Sequence, residues 1–259
     1  MEMLLAIDIG NTNITIGLFN GEKLQTTWRV VSSIHRMPDE YEALLSIFFG
    51  QKNIRASDVK GAIICSVVPP LTGTFDEMCR QYLRVNPLIV GAGVKTGIKI
   101  LMDNPREVGA DRVVNSVAAY YTYGGPSIVI DMGTATTFDA ISANGEYLGG
   151  AIAPGIVIAA EALFTRTAAL PRVDLVQPKH AIGTNTVAAM QSGIVYGCAG
   201  LIEYVVSKIK TELGGTVKVI ATGGHSRLMS KLTSAIDTVD LDITLVGLRM
   251  IYDMNRPRD

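Results

Sequence analysis

Two stretches of this 259-residue chain set an aspartate at the end of an apolar run and follow it with glycine and small hydrogen-bonding residues. The first is Asp8-Ile9-Gly10-Asn11-Thr12-Asn13-Ile14-Thr15, behind Leu4, Leu5, Ala6 and Ile7. The second is Asp131-Met132-Gly133-Thr134-Ala135-Thr136-Thr137, behind Ile128, Val129 and Ile130. Each reads as a strand, a tight polar turn and a returning strand. Gly10 allows a backbone that a residue with a Cβ follows only at a cost, and it lets a ligand approach the main chain. A charge where a strand surfaces is poorly placed unless it holds a cation or water, which makes Asp8 a candidate for such a role. Both copies run on into a Gly-Glu turn, Gly21-Glu22 and Gly145-Glu146, and the spacing from aspartate to that glycine differs by one residue. One recurrence at about half the chain length points to a duplicated domain rather than a solenoid. Facing hairpins of this kind can grip a polyphosphate from both sides.

A third stretch, Asp103-Asn104-Pro105-Arg106-Glu107-Val108-Gly109-Ala110-Asp111-Arg112, carries different chemistry. Behind it Ala110, Val113, Val114, Val117, Ala118 and Tyr121 recur at helical spacing, so Asp111 and Arg112 fall near a helix N-terminus. An acid there also suits the helix dipole. Arg112 does not suit that end, and such a cation makes sense facing an anion or Asp111 itself.

The elements that must position these residues read as mixed α/β. Leu24 to Val31 is a strand, Pro38 opens a helix that Gly50 stops, and Gly61 to Val68 is an apolar run expected of a strand buried on both faces. Pro69-Pro70 ends that strand, a helix follows over Thr74 to Leu83, and Pro87 to Val90 is a short strand. Gly91-Ala92-Gly93-Val94-Lys95-Thr96-Gly97 lacks the glycine a dinucleotide fingerprint wants at Thr96 and the one a P-loop wants at Val94, so it reads as a connecting loop. Ile98 to Met102 is extended. Gly124-Gly125-Pro126 divides the chain into domains 1–123 and 124–259.

In the second half, Gly149 to Gly155 is a small-residue loop that allows close backbone approach, with a helix behind it through Ile158 and Leu163. Leu170 to His180 is irregular. Gly183-Thr184-Asn185-Thr186 precedes a long amphipathic pattern, and Thr184 or Asn185 would serve as its N-cap. Val217 to Ala221 runs into Thr222-Gly223-Gly224-His225 with a helix from Arg227 onward, a junction that can seat a nucleotide's sugar and base or be a plain turn. Val246 to Met254 is helical.

Composition narrows the classes. At 48% hydrophobic the chain can bury a sizeable core, and its net charge of −1 with scattered lysines and arginines speaks against a nucleic-acid face. No stretch holds the roughly 18 uninterrupted apolar residues of a membrane helix, and the N-terminus lacks the basic region of a signal peptide. Cys65, Cys79 and Cys198, odd in number and without CxxC spacing, read as reduced thiols of a cytoplasmic protein. His35, His180 and His225 show no metal-ligand spacing.

The two Asp-x-Gly hairpins and the late strand–Gly-Gly–helix junction resemble the duplicated ATPase superfamily of sugar kinases, acetate kinase, actin and heat-shock chaperone ATPases. Within it, Asp8 to Thr12, Gly109-Ala110-Asp111-Arg112, Asp131 to Thr134 and Gly183 to Thr186 together resemble type III pantothenate kinase over essentially the whole chain. The resemblance implies two actin-like (ribonuclease H-like) domains with mixed sheets flanked by helices. It implies ATP-dependent phosphorylation of pantothenate to 4'-phosphopantothenate, the first step toward coenzyme A. By position, Asp8, Ile9, Gly10, Asn11, Thr12, Asn13, Ile14 and Thr15 would form the first phosphate loop, and Thr134 would touch the nucleotide from the second. Gly109, Ala110, Asp111 and Arg112 would line the pantothenate pocket, with Asp111 as proton acceptor. Asp131 would help hold potassium or ammonium beside Mg²⁺-ATP, and Thr186 would reach pantothenate across a homodimer. One departure stands out: where family members often carry tyrosine before Asp103-Asn104-Pro105, this chain has Met102. Other readings are a regulatory protein on the same fold, a filament or chaperone ATPase, and a kinase for another small hydroxy acid. Retention of Asp8, Asp111 and Asp131 argues against the first, and a short chain against the second.

Overall fold

The computed structural model describes residues 2–256, which gather into two compact units. The first unit takes the chain up to Gly97, Asn104–Ala118 and the chain from Thr244 on; the second takes Ile98–Asp103 and Ala119–Ile243.

The chain opens with β1 (Met3–Ile9), β2 (Asn13–Asn20) and β3 (Lys23–Val31), an antiparallel meander. Helix α1 (Pro38–Gln51) follows, then β4 (Val59–Ser66), α2 (Pro69–Met78) and β5 (Leu88–Ile89). β4 pairs parallel to β1, giving the sheet order β3-β2-β1-β4-β5. β1 is buried on both faces, as its unbroken apolar run requires. On one face Leu5, Ile7, Ile9, Ile14 and Ile64 pack with Tyr41 and Phe49 of α1 and Phe75 of α2. The expected helix from Thr74 begins earlier, at Pro69, because the proline pair that stops β4 also supplies a preset first turn. It ends in a π-helical turn over Cys79–Leu83, closed by Arg84 at φ 57°.

Residues 98–103 carry the short β6 (Lys99–Ile100), a member of the second sheet. Helix α3 (Ala110–Tyr123) then lays Val113, Val114, Val117 and Ala118 into the first unit's interior. Strands β7 (Ser127–Met132), β8 (Ala135–Ile141) and β9 (Glu146–Pro154) repeat the antiparallel meander. Helices α4 (Ile156–Arg166) and α5 (Thr186–Leu213), strand β10 (Lys218–Gly223), the single-turn α6 (Ser226–Met229) and β11 (Thr238–Val239) complete the second unit. β10 pairs parallel to β7, and the order β11-β10-β7-β8-β9 reproduces that of the first sheet with β6 added at the β9 edge. The duplication expected from the hairpins is therefore present in the strand connectivity. The helix expected from Arg227 onward is only the one turn of α6, and β11 had no sequence signal.

α5 is long and apolar enough to pass a length-and-composition test for a membrane span. Its Met190, Ile194, Val195, Ile202 and Val206 are built into the second unit's core, against Ile128, Ile130 and Val219.

The last helix, α7 (Ile243–Asn255), packs with the first unit from Thr244 on. Glycines make room for it. A Cβ on Gly61 of β4 would fall 1.9 Å from Tyr252 Oη, and one on Gly17 of β2 2.8 Å from Leu245 Cδ1. A Cβ on Gly247 would lie 2.3 Å from the carbonyl oxygen of Val114, so α7 also runs close beside α3. The Thr244 hydroxyl donates to Asn115 Oδ1 at 2.7 Å in the same contact.

Burial pushes the Cys65 thiol well above its usual value and that of Cys79 up to about 12, while Cys198 is half-buried and shifted less. Thiolate is the reactive form, so both buried cysteines stay inert in the folded chain. In mildly alkaline buffer a thiol reagent should leave Cys65 and Cys79 unlabelled in the folded protein and reach all three cysteines once it is denatured. Rapid labelling of Cys65 in the native protein would contradict the packing described.

Candidate functional site

The first hairpin turns between Ile9 and Asn13, where the Gly10 N–H donates to the Asn13 carbonyl at 3.0 Å. Asn11, Thr12 and Asn13 are exposed at its tip. A Cβ on Gly10 would come to 3.1 Å from Asn13 O, a tight contact that the turn would have to ease by a few tenths of an ångström. Glycine's conformational freedom is used elsewhere, at Gly21 (φ 58°) and Gly145 (φ 75°), the matching turns after β2 and β8. The special backbone expected of Gly10 is not found, since it is not among the residues at positive φ. Ser32, just past β3, braces the tip. Its hydroxyl donates to Gly10 O at 2.5 Å and its N–H to Thr12 O at 3.0 Å.

Asp8 lies one residue before the end of β1, half-buried, with Thr15 of β2 and Cys65 of β4 as its cross-strand neighbours. It shares the sheet face with Leu4 and Ala6, since alternate side chains point the same way. Asp111 reaches that region from α3. The Gly109 carbonyl accepts the N–H groups of Arg112 and Val113 at 3.1 and 3.2 Å, and Asp111 Oδ1 accepts the Arg112 N–H at 2.8 Å. Its carboxylate folds back over Gly109, where a Cβ would meet Asp111 Oδ1 at 2.6 Å. Fully buried Cys65 registers both acids: after burial itself, the charges of Asp8 and then Asp111 raise its thiol further. Strand register thus sets Asp8 beside the buried thiol, and Asp111, in the same unit, lies near enough for its charge to reach it. The Arg112 side chain is drawn inward, with Nη2 buried.

In the second unit the hairpin tip has the same design, with the Gly133 N–H donating to the Ala135 carbonyl at 3.1 Å. Asp131 is half-buried beside Thr137 of β8 and Thr222 of β10, and its Oδ1 stands 3.7 Å from where a Cβ of Gly133 would be. Thr134 is exposed at the tip. Two glycines from runs the sequence had marked, Gly155 of the small-residue loop and Gly223 of the strand–Gly-Gly–helix junction, lie against this turn. Gly155 donates its N–H to Thr134 O at 3.2 Å, and Gly223, at φ 88°, would place a Cβ 2.6 Å from the Met132 carbonyl. Both stand at C-terminal strand ends next to the turn.

Asn185 is the N-cap of α5, its Oδ1 accepting the Ala188 N–H at 2.9 Å, which leaves Thr186 exposed in the first turn. Thr186 sits at the mouth of an apolar cavity of about 890 Å³ between α4 and α5, lined among others by Leu163, Met190, Gly193, Ile194 and Gly197. Met102 packs against Gly149, whose Cβ would be 2.9 Å from the Met102 sulfur. The Gly91–Gly97 stretch is a loop, as read, and the Asn255 side chain holds the Lys95 backbone at both N–H and C=O.

The expected residues therefore fall into two groups. Asp8 to Thr15 and Gly109 to Arg112 belong to the first unit, and Asp131, Thr134 and Thr186 to the second. Oxygen is the donor these sites offer, which suits hard cations and phosphate-bound Mg²⁺. Among the described residues no three His, Cys, Asp or Glu side chains gather as a metal cluster.

Residues 4–208 match the family described as type III pantothenate kinase. A type III pantothenate kinase of Dehalococcoides mccartyi (strain CBDB1) is 51% identical over 255 residues, covering 98% of this chain and 97% of its own. The one from Moorella thermoacetica is 53% identical over 253 residues, covering 98% of this chain and all of its own. A Campylobacter jejuni structure, provisionally assigned to the Baf family of transcriptional activators, superposes with TM-score 0.62 at 20% identity over 97% of this chain and 98% of its own. The inorganic polyphosphate/ATP-glucomannokinase of Arthrobacter sp. strain KM gives 0.51 at 13% identity, covering 99% and 100%. At such identities the structures speak to fold alone, and the fold is the mixed α/β ATPase type of actin and the sugar kinases expected from the sequence.

Proposed function

This chain belongs to the type III pantothenate kinase family, and we propose that Asp111 is the base of its reaction and the Asp8–Thr15 hairpin its first phosphate loop. The reaction itself is ATP-dependent phosphorylation of pantothenate to 4'-phosphopantothenate, which opens coenzyme A biosynthesis. In it the primary alcohol oxygen of pantothenate bonds to the γ-phosphorus, the bond to ADP breaks, and the alcohol proton leaves. Such transfers need alignment and charge neutralisation more than covalent help.

One observation carries the assignment. Asp8 stands in register with Cys65 near the end of β1, Asp111 opens α3 in the same unit with its charge reaching that thiol, and the Asp111 carboxylate accepts the Arg112 N–H at 2.8 Å over the space Gly109 leaves. A carboxylate so fixed can orient the alcohol and take its proton. Gly109 and Ala110 would line the pantothenate pocket, with Arg112 pairing its anionic end through charge-assisted hydrogen bonds. The backbone N–H groups and hydroxyls of Gly10 to Thr15 would cradle phosphate oxygens, and Thr134 would contact the nucleotide.

Neither hairpin carries a lysine or arginine, so phosphate charge needs a cation from elsewhere. Mg²⁺ on ATP and a potassium or ammonium ion at Asp131 would supply it. The half-buried Asp131 carboxylate, next to two threonines and a backbone turn, is an oxygen-only setting that fits a hard monovalent ion. We further propose a homodimer formed on the α4–α5 cavity, with Thr186 at its mouth touching the partner's pantothenate. Gly193 and Gly197, where an added Cβ would meet nothing within 4 Å, leave that helix face open to close approach. The three free cysteines fit a reducing, cytoplasmic setting.

Asp111→Asn should lower kcat by at least about 10²-fold while KM for ATP changes little. Unchanged turnover would remove Asp111 as the base. Replacing potassium by sodium should slow the reaction several-fold, and equal rates would count against a selective cation at Asp131. In sedimentation analysis the chain should run as a dimer and Gly197→Glu as a monomer; a monomeric parent protein would overturn the dimer.

A further inference from the structure

We infer that Gly155 is a positioning residue for ATP, acting through the Thr134 turn. The inference rests on the reading of Thr134 as a nucleotide contact and adds the group that holds Thr134 in place. Gly155 follows Pro154, which pairs with Ala135 across β8 and β9, so it arrives directly beneath the turn. Its N–H donates to the Thr134 carbonyl at 3.2 Å. A Cβ at this position would fall 2.3 Å from Thr134 O and 2.6 Å from Gly133 O, both backbone atoms that no side-chain rotation can move aside.

The backbone here is ordinary, φ −66° and ψ 153°, so any residue could adopt it. Space is what requires glycine. The neighbouring Ile156 is 4% exposed and anchored in the second unit's core, and α4 starts from it, so residue 155 has little freedom to retreat. An added methyl must therefore displace the turn, by about 1 Å, a misplacement that can cost up to about 10²-fold where alignment matters.

Gly155→Ala should raise KM for ATP about tenfold and leave KM for pantothenate within about twofold. Gly145→Ala, at the far end of the same strand pair and strained by its positive φ, should lower thermal stability without moving KM for ATP. Thr134→Ala should raise KM for ATP on its own. If Thr134→Ala raises that KM and Gly155→Ala does not, the role given to Gly155 is wrong while the reading of Thr134 stands. If Gly155→Ala raises it and Thr134→Ala leaves it unchanged, Thr134 is not the contact and Gly155 does not act through it. Equal effects of Gly155→Ala on both substrates would also overturn the inference. In the parent protein, amide exchange at Gly155 should slow with a non-hydrolysable ATP analogue and not with pantothenate. No change with the analogue would contradict the inference even if Gly155→Ala fails to fold.

Discussion

Helix α3 carries Asp111 in its first turn, and apolar packing inside the first unit sets where that turn lies. Val113, Val114 and Val117 are buried there, each a side chain whose burial contributes about 1.5–3 kcal/mol. α7 runs beside it, close enough that Gly247 cannot carry a side chain. Sliding α3 by one turn would move its N-terminus, and Asp111 with it, about 5.4 Å, farther than the hydrogen bond that the proposed role as base requires can stretch. Apolar packing along the helix therefore sets the position of the carboxylate at its tip.

The two hairpins solve one problem by different local means. Each turns through a glycine whose N–H bonds across the loop, at 3.0 Å in the first and 3.1 Å in the second. The first tip is braced by a side chain, the Ser32 hydroxyl on Gly10 O, and the second by a main chain, the Gly155 N–H on Thr134 O. Duplicated strand connectivity preserves the turn, while the supporting contact has been rebuilt from whatever segment passes nearby. If the hairpins hold phosphate as proposed, rigid loops are valuable, because donors fixed before the reaction cost no reorganisation during it.

Much of this was legible in the sequence, and the physical reasons differ by feature. Strand-ending aspartates followed by glycine are local patterns, and so is the apolar stripe that makes α3 a helix with Asp111 in its first turn. What depended on distant chain could not be read locally. Gly61 looked like the start of a buried strand, yet it is glycine because Tyr252, far along the chain, lies on it. The return of α7 to the first unit has no signal in its own residues, which read simply as a helix. Gly155 belonged to a small-residue run whose members looked alike, and only the strand register shows which of them faces Thr134. At Gly10 the residue type was informative, but the special backbone expected of it is absent, since sequence does not show which glycine of a hairpin takes the positive φ.

A structure of the protein with pantothenate and a non-hydrolysable ATP analogue would test the central claim most directly. The terminal hydroxyl oxygen of pantothenate should lie about 2.6–3.2 Å from an Asp111 carboxylate oxygen, with the γ-phosphate on the Asp8–Thr15 hairpin. A hydroxyl beyond reach of Asp111, even through a bridging water, would contradict the account.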